Sequence, residues 1–299
     1  MRENGNKTRL NFINTNARSL CPKIGSLNNC FEELDLSFSV VTETWLSDGV
    51  LLDRDKDDLE HGAGLGLLHR NRPPNSRGVS HGGVAIIYRK AKMSLKELDI
   101  KNLDAYEVVA AIGNVIGQSR KVLVVACYMP PNYSVTRGKD CLSYITDLVL
   151  HLKRMYKDPI FYIAGDFNQW DLTSALVDYQ DLVEAPVGPT RGNRSIDRTF
   201  TNISEHIVTA TVLPPLESDD SMRTSDHLVA LVEADLPRKE AYELLRYTYR
   251  LYTDDGADLF LKWIVNHHWG RYWRWWEAMR KQRLISAIST ERWMPFFPM

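Results

Sequence analysis

The residues best suited to chemistry lie where apolar runs end. In the segment PIFYIAGDFN (159–168) an apolar run ends in Gly165, Asp166, Phe167 and Asn168. Such a run predicts a strand that is buried on both faces. Gly165 would let the backbone turn as it leaves the core, and Asp166 and Asn168, two residues apart, would point the same way. Gly-Asp and Asn also form ordinary turns, so this segment alone leaves a turn without chemistry open.

Other polar side chains share this position at or near the end of an apolar strand. Residues 9–16 alternate as a first strand, and further strands are predicted at 38–41, 122–128 and 228–232. Each of these polar residues taken alone has an ordinary structural explanation, but their shared position at strand ends favours a common site. The complete set comprises Asn16, Glu43, Tyr128, Asp166, Asn168, Asp197, Asp226 and His227.

The remaining pattern predicts the elements that position these side chains. Apolar residues near the 3.6 period predict helices over 24–36, 139–155 and, more briefly, 172–177. Strands in quick succession predict antiparallel pairing rather than a purely parallel sheet. These strands cover 83–88, 106–112 and 122–128, and another follows at 207–213. Residues 48–80 predict a long irregular excursion with solvated Arg70, Arg72 and Arg77, and residues 188–202 predict a loop.

Composition narrows the class of protein. The chain has 299 residues and a net charge of −1. A protein that holds nucleic acid through bulk charge is expected to be basic, so binding here would need local patches. No apolar stretch approaches a membrane span, and the start has no signal-peptide pattern. Four cysteines without a CxxC pair predict reduced thiols. We expect a nuclear or cytoplasmic protein that is not secreted and does not bind membranes.

The composition also predicts a domain boundary. Residues 1–8 are expected to be a leader and residues 9–235 one domain, because the strand pattern stops at 235. Residues 236–299 are basic and predicted to be helical, and they hold six of the eight tryptophans. Their aromatic face favours packing against a neighbour over base stacking.

Several motifs, in this order, resemble the endonuclease/exonuclease/phosphatase superfamily. They are NARSL, TETWL, GGVAIIYR, YMPP, GDFN, PTRGNRSIDRTFTN and SDH. The sequences of the TETWL and SIDRTFTN motifs resemble the apurinic-like endonuclease domain of non-LTR retrotransposons. The tail, with RYTYRLYTDDGADLFLKWIVNHHW and FFPM, resembles the linker before a reverse transcriptase.

The resemblance implies an α/β fold, a four-layer sandwich of two packed mixed β-sheets flanked by helices, with the site at one end of the sheets. It also implies Mg²⁺, with Mn²⁺ as an alternative, held by Glu43 with Asn16 and Asp226 in support. Asp166 would deprotonate the attacking water, and Asn168 would hold this water or a phosphate oxygen. His227 would donate to the phosphate while Asp197 fixes its tautomer, although carboxylate and imidazole could exchange the role of base. Tyr128 would donate to the phosphate. The expected substrate-binding residues are Arg191, Arg194 and Arg198.

The expected function is a Mg²⁺-dependent endonuclease that nicks DNA and leaves a 3′-hydroxyl primer for retrotransposition, and the expected partner is a reverse transcriptase domain that this chain does not contain. Many DNA-repair relatives carry an acidic residue where this chain has Arg18 and an Asn where it has Pro131, so a nick in ordinary duplex is expected rather than cleavage at abasic sites. Two alternatives are a phosphatase or lipid phosphodiesterase on the same scaffold, and a catalytically dead retrotransposon remnant.

Overall fold

Apolar runs form most of the strands in the computed structural model, which describes residues 7–46, 64–72, 81–99, 106–176, 179, 181–218, 224–238 and 262. The strands are β1 Lys7–Asn16, β2 Phe38–Thr42, β3 Leu65–Arg70, β4 Val84–Arg89, β5 Met93–Glu97, β6 Glu107–Val115, β7 Lys121–Tyr128, β8 Ile160–Asp166, β9 Val183–Glu184, β10 Asp197–Thr201, β11 Ile207–Leu213 and β12 Val229–Pro237. The α-helices in the described residues are α1 Ile24–Glu33, α2 Val135–Met155 and α3 Leu172–Ala175, and short 3₁₀ turns cover Cys21–Lys23 and Ser204–His206.

The described strands form two mixed sheets of six strands each. One has the order β11-β12-β1-β2-β4-β3 and the other the order β5-β6-β7-β8-β10-β9. Each sheet has one parallel pair near its centre, β1 with β2 and β7 with β8, and its other neighbours are antiparallel. The predicted antiparallel pairing is therefore confirmed.

The core lies between the two sheets. Phe12 on β1 and Phe38 on β2 stack with their ring centroids 4.7 Å apart, and Tyr162 on β8 meets Phe12 edge-on at 4.8 Å. All three side chains are fully buried. Aromatic pairs in these geometries stabilise a core beyond the free energy of area burial alone. This packing presses the central strands of the two sheets together.

Helices cover the outer faces of the sandwich. Buried residues of α2, among them Ile145 and Val149, pack with β7 and β8, whereas Leu27 and Phe31 of α1 pack against the other sheet. Ser134 caps α2 by accepting the backbone N–H of Arg137 at 3.2 Å, which satisfies one donor of the first turn. The order helix, sheet, sheet, helix confirms the four-layer α/β sandwich.

Four strands, β3, β5, β9 and β10, arise where the sequence pattern predicted none. The excursion predicted over 48–80 contains β3, the loop predicted over 188–202 contains β10, and β5 was not predicted. Arg70 and Arg72 were expected to be solvated, but Arg70 pairs with Glu97 at 3.0 Å and Arg72 pairs with Glu107. Arg77 lies outside the described residues. The helix predicted over 24–36 ends at Glu33, and the one predicted from 139 begins at Val135.

The chain divides into two units, Met1–Ala241 and Tyr242–Met299. β12 reaches Pro237, two residues beyond the predicted boundary. The predicted leader and the Trp-rich tail lie outside the described residues except at Lys7, Thr8, the end of β12, Arg238 and Lys262, so the domain division stays a prediction. None of the helices described is both long enough and apolar enough to cross a membrane.

Candidate active site

Gly165 shapes the strand end from which Asp166 emerges. Its φ is +152°, and a Cβ atom at this position would lie 1.7 Å from the carbonyl oxygen of Cys127 on β7. Only glycine allows such a close approach of two backbones. From the other sheet, the Asn14 side chain donates to the carbonyls of Gly165 and Arg198, each at 3.2 Å. β8 therefore leaves the core at a position fixed by both sheets.

The register of the strands brings the predicted side chains together. Tyr128 pairs with Asp166 across β7 and β8, and Asp166 pairs with Asp197 across β8 and β10. Asn16 ends β1 opposite Thr42, one residue before Glu43. These strand ends therefore meet at one edge of the sandwich.

A chain of hydrogen bonds joins four of the predicted residues. Asn16 Nδ2 donates to Glu43 Oε1 and to Asp166 Oδ2, each at 2.9 Å, and so connects the two sheets. The hydroxyl of Tyr128 donates to Glu43 Oε1 at 2.8 Å. Asn16 and Asp166 are buried, and Glu43 is partly exposed. A carboxylate held by two donors is fixed in orientation before any substrate arrives.

Asn168 is tied to the same centre through its backbone. Its N–H donates to Asp166 Oδ1 at 3.0 Å, and its side-chain amide donates to the Met129 carbonyl at 3.0 Å. Asp166 and Asn168 were predicted to point the same way. In the structure the backbone of Asn168 contacts Asp166, whereas the side-chain amide of Asn168 donates to backbone. Asn168 therefore helps to orient Asp166.

Asp197 and His227 form a buried dyad. His227 Nδ1 lies 2.7 Å from Asp197 Oδ2, and both residues are 2% exposed. Thr190 Oγ1 accepts the backbone N–H of Asp197 at 3.1 Å, and Ser225 Oγ accepts that of His227 at 3.1 Å. With Nδ1 facing Asp197, Nε2 is the ring nitrogen available to a phosphate.

Burial and charge displace the pKa values of this cluster. Burial, followed by the neighbouring Asp197 carboxylate, raises the pKa of Asp166 to about 7. Burial acts to lower the pKa of His227, but the hydrogen bond and charge of Asp197 outweigh it, so the pKa is raised. Burial and the Glu43 carboxylate raise the pKa of Tyr128, which keeps its phenol protonated. A base poised near neutrality beside two proton donors suits acid–base chemistry.

Backbone strain concentrates around the same strand ends. Glu43, Trp45 and Asn168 have positive φ values of 48°, 52° and 49°, and Arg18 and Ser19 follow β1 at 43° and 89°. Such conformations cost on the order of 1 kcal/mol or more in residues other than glycine and are typical of functional sites.

Asp226 lies at the rim of this cluster. Its Oδ1 is 3.6 Å from Arg18 Nη1 and its Oδ2 is 2.6 Å from Arg191 Nη2. Burial works to raise the pKa of Asp226, but the charges of Arg191 and His227 lower it. The predicted metal ligand Asp226 therefore has both oxygens in ion pairs with arginines.

The three predicted substrate-binding arginines lie in two different places. Arg191 and Arg194 close a hairpin through reciprocal backbone hydrogen bonds of 3.1 and 3.0 Å, and this hairpin leads to Asp197. Arg198 follows Asp197 on a strand and points to the opposite face. Its guanidinium pairs with Glu184 and with Asp171, so the structure does not bring it to the cluster.

Arg72 and Glu107 were not predicted as site residues. Glu107 begins β6 opposite Tyr128, is buried, and accepts from the Arg72 guanidinium and from the Gly83 N–H at 2.5 Å. The guanidinium carbon of Arg72 lies 5.5 Å from the centroid of the Tyr128 ring. Burial raises the pKa of Glu107, and the charge of Arg72 opposes this effect. Arg72 and Glu107 therefore support Tyr128, and their sequence separation leaves no local motif that could have revealed them.

The donor atoms present fit a hard divalent cation. Among the described residues, Oδ1 of Asp197 is buried without a hydrogen-bond partner. The possible ligand atoms of Asp166, Asp197 and His227 lie within 4.8 Å of one another. Glu43 adds a third carboxylate, joined to Asp166 through Asn16. Carboxylate and amide oxygens are the donors that Mg²⁺ takes in proteins.

The fold matches solved structures with different named activities. An endonuclease/exonuclease/phosphatase family protein from Bacteroides thetaiotaomicron has a TM-score of 0.59 at 14% identity, over 78% of this chain and all of that one. The endonuclease domain of TRAS1, a telomere-specific non-LTR retrotransposon, has a TM-score of 0.52 at 13% identity, over 78% and 100%. A mannosyl-6-phosphatase from B. thetaiotaomicron has a TM-score of 0.56 at 15% identity, over 75% and 98%.

At these identities the structures show a common fold. No curated protein matches the chain. The model of the Endonuclease/Exonuclease/phosphatase family matches residues 10–227, which contain every strand end described above. The chain therefore belongs to the endonuclease/exonuclease/phosphatase family, whose members are metal-dependent hydrolases.

Proposed function

We propose that the protein is a Mg²⁺-dependent endonuclease that hydrolyses phosphodiester bonds in DNA and leaves a 3′-hydroxyl group. The observation that carries this proposal is the convergence of Glu43, Tyr128 and Asp166 through Asn16, with the Asp197–His227 dyad beside them. This arrangement supplies a base, two proton donors and carboxylates for a cation within one cluster.

Asp166 is the proposed base. With its pKa raised to about 7, a large fraction of this carboxyl group is ionised at neutral pH and can still accept a proton effectively. It would take a proton from the attacking water, whose oxygen forms a bond to phosphorus as the bond from phosphorus to the leaving oxygen breaks. Asn16 and the backbone of Asn168 hold the carboxylate in place.

His227 and Tyr128 are the proposed donors to the phosphate. The raised pKa of His227 favours its cation, and Asp197 fixes the ring so that Nε2 faces away from the dyad. Tyr128 keeps its phenolic proton because its pKa is also raised. Donors already in place stabilise the charge that the phosphate gains in the transition state.

Glu43, with Asn16, is the proposed metal ligand. Its Oε1 accepts from Asn16 and Tyr128, and Oε2 is without a hydrogen bond within the described part of the chain. When bound there, a divalent cation would neutralise charge on the phosphate and on the departing oxygen. Mn²⁺ would serve with the same oxygen donors.

The proposal is tested on supercoiled plasmid with Mg²⁺. Asp166→Asn and His227→Ala should each lower the rate of nicking by at least about 100-fold, the usual contribution of a positioned acid or base. His206→Ala and Asp158→Asn, which change the same residue types in surface ion pairs, should leave the rate unchanged. Nicking by both site variants at the wild-type rate would refute the site.

Retrotransposition and the reverse transcriptase partner belong to the same proposal. Support comes from the motif wording and from the fold shared with the TRAS1 domain. The chemical groups at the ends of the nicked strand test this part of the proposal. A polymerase can extend the strand only from a 3′-hydroxyl group. Release of phosphate from monoesters without plasmid nicking would instead identify a phosphatase, and duplex binding without any cleavage would identify an inactive remnant.

A further inference from the structure

Two arginines from different loops meet at the rim of the site. Arg18 follows β1, and Arg191 lies in the hairpin that precedes β10. Their guanidinium groups reach different oxygens of Asp226, at 3.6 and 2.6 Å. We call Arg18 and Arg191 the arginine pair. Together with Asp226 it carries a net charge of +1, and Asp226 is followed directly by His227.

Both arginines are carried by backbone that is fixed to the site. The N–H of Arg18 donates to Asn16 Oδ1 at 3.1 Å, so one amide holds both this loop and the carboxylates. The next residue, Ser19, donates its N–H to the Glu43 carbonyl at 2.8 Å. On the other side, the Thr190 carbonyl accepts the N–H of Leu228 at 2.7 Å. The backbone therefore sets how far the arginine pair lies from the dyad.

The ion pairs themselves do not explain this arrangement. The three side chains are 40–48% exposed, and ion pairs of this kind contribute little to stability. A guanidinium has five N–H donors in a rigid fork, so a contact with Asp226 leaves donors for another acceptor. A phosphodiester offers two oxygens and one negative charge, which match these donors and the local charge.

We propose that the arginine pair binds a backbone phosphate next to the one that is cleaved. The substrate is then a nucleic-acid strand with flanking phosphates rather than an isolated phosphate ester. In this arrangement Asp226 holds the arginine pair together and is not a metal ligand. The inference rests on the proposed function and adds that the arginine pair recognises a flanking phosphate of the substrate.

Binding tests the arginine pair without requiring turnover. In an Asp166→Asn background with EDTA, the affinity for a duplex oligonucleotide is measured between 50 and 200 mM NaCl. Arg18→Ala or Arg191→Ala should weaken binding about tenfold and reduce the salt slope by about 1, because one phosphate contact is lost. Arg18→Lys should restore the slope but only part of the affinity, since lysine lacks the fork.

Arg9 provides the matched control. It pairs with Asp235 at 3.6 Å near the opposite end of β1 and is also exposed. Arg9→Ala removes the same charge at a site far from the rim and should leave affinity and slope unchanged. The inference is overturned if Arg18→Ala and Arg191→Ala behave like Arg9→Ala, or if the Asp166→Asn protein does not bind the duplex.

A comparison of substrates distinguishes a flanking contact from a contact with the reacting phosphate. Bis(4-nitrophenyl) phosphate is a diester without neighbouring phosphates. Arg18→Ala should lower kcat/KM for DNA about tenfold more than kcat/KM for this diester, mainly through KM. Equal losses with both substrates would overturn the inference.

The two proposals fail in different ways. Wild-type protein that does not nick plasmid, with duplex binding that still depends on the arginine pair, would refute the endonuclease and leave the phosphate contact. Wild-type nicking with binding unaffected by Arg18→Ala and Arg191→Ala would refute only the contact.

Discussion

At the scale of single residues, Asp166 balances opposing effects. Burial and the Asp197 carboxylate favour its protonated form, whereas His227 and the hydrogen bonds from Asn16 and Asn168 favour the anion. The resulting pKa of about 7 makes the carboxylate useful as a base and costly to the folded state once it is ionised. The same burial therefore affects reactivity and stability.

This cost predicts a pH-dependent effect of Asp166→Asn. In the folded protein the pKa is about 7, against about 3.9 for an unfolded aspartate. The folded state therefore binds more protons between these values, and wild-type stability falls as pH rises from about 4 to about 7. The raised pKa of His227 acts in the same direction. The free energy of unfolding of Asp166→Asn minus that of wild type should therefore be more positive at pH 8 than at pH 4, by on the order of 4 kcal/mol.

Urea unfolding in EDTA at pH 4 and pH 8 measures this difference. Asp158→Asn, at an exposed ion pair, serves as the control and should show the same difference at both pH values. A difference for Asp166→Asn that does not change with pH would contradict the assignment.

Glu107 and Arg72 form an ion pair beside Tyr128. Glu107→Gln leaves the guanidinium of Arg72 without this buried carboxylate and should cost about 3 kcal/mol of unfolding free energy. Arg72→Met in the same protein should recover part of this loss, because the charge that has lost the Glu107 carboxylate is removed as well. A double-mutant cycle by urea unfolding measures the coupling, and additive losses would show that the two side chains act independently.

At the scale of elements, the ends of the parallel pairs build the site. β1 and β2 deliver Asn16 and Glu43, and β7 and β8 deliver Tyr128 and Asp166. Antiparallel β10 starts at this edge and places Asp197 opposite Asp166. Since all these positions depend on register, a slip of one residue would turn a side chain of the proposed site towards the opposite face.

Gly165→Ala tests this register. The added Cβ would meet the Cys127 carbonyl at 1.7 Å, so β7 and β8 would have to separate where Tyr128 and Asp166 emerge. The expected cost is at least about 2 kcal/mol, together with loss of nicking.

Gly192→Ala is the matched substitution for Gly165→Ala. Gly192 also has a positive φ, of 57°, but has open space around its Cβ position. Gly192→Ala should lower the free energy of unfolding by only about 1 kcal/mol, because it carries the conformational penalty without a steric clash. Urea unfolding compares the two variants, and equal costs would show that crowding at Gly165 does not matter.

The sequence predicts elements that carry a strong local signal. Continuous apolar runs ending in polar residues indicate β7 and β8 and the strand-end positions of Asn16, Asp166 and Tyr128. β10 has no such run, because Asp197–Thr201 is largely polar and becomes a strand by pairing with β8. The Glu107–Arg72 contact joins residues from separate elements, so no periodicity signals it. The pairing of Asp226 with Arg18 and Arg191 likewise depends on loop geometry.

At the scale of the whole molecule, the proposed metal ligand Glu43 is held in place by residues from both sheets. Glu43 follows a strand of one sheet and accepts hydrogen bonds from Asn16 of that sheet and from Tyr128 of the other. A cation at this edge would bind only when the two sheets are packed together. Binding should therefore stabilise the folded sandwich as a unit.

Mg²⁺ should raise the melting temperature of the protein. At a free concentration of 100 times Kd, one site adds about 2.7 kcal/mol to the free energy of unfolding. Glu43→Gln should lose most of this gain. Glu97→Gln, which removes a carboxylate that pairs with Arg70, should keep it. Thermal unfolding with MgCl₂ and with EDTA measures the effect, and an equal gain in Glu43→Gln and wild type would exclude Glu43 as a ligand.

The pairing of β1 with β12 has a consequence for synthesis. Lys7 lies opposite Pro237, and His227 reaches the site immediately before β12 begins. A ribosome makes the earlier segment first, so β1 waits for its antiparallel partner while more than two hundred residues are translated. The dyad is completed only when this late segment has emerged and folded back. If the proposed function is correct, a nascent chain gains its nuclease activity only after nearly all of the sandwich has been translated.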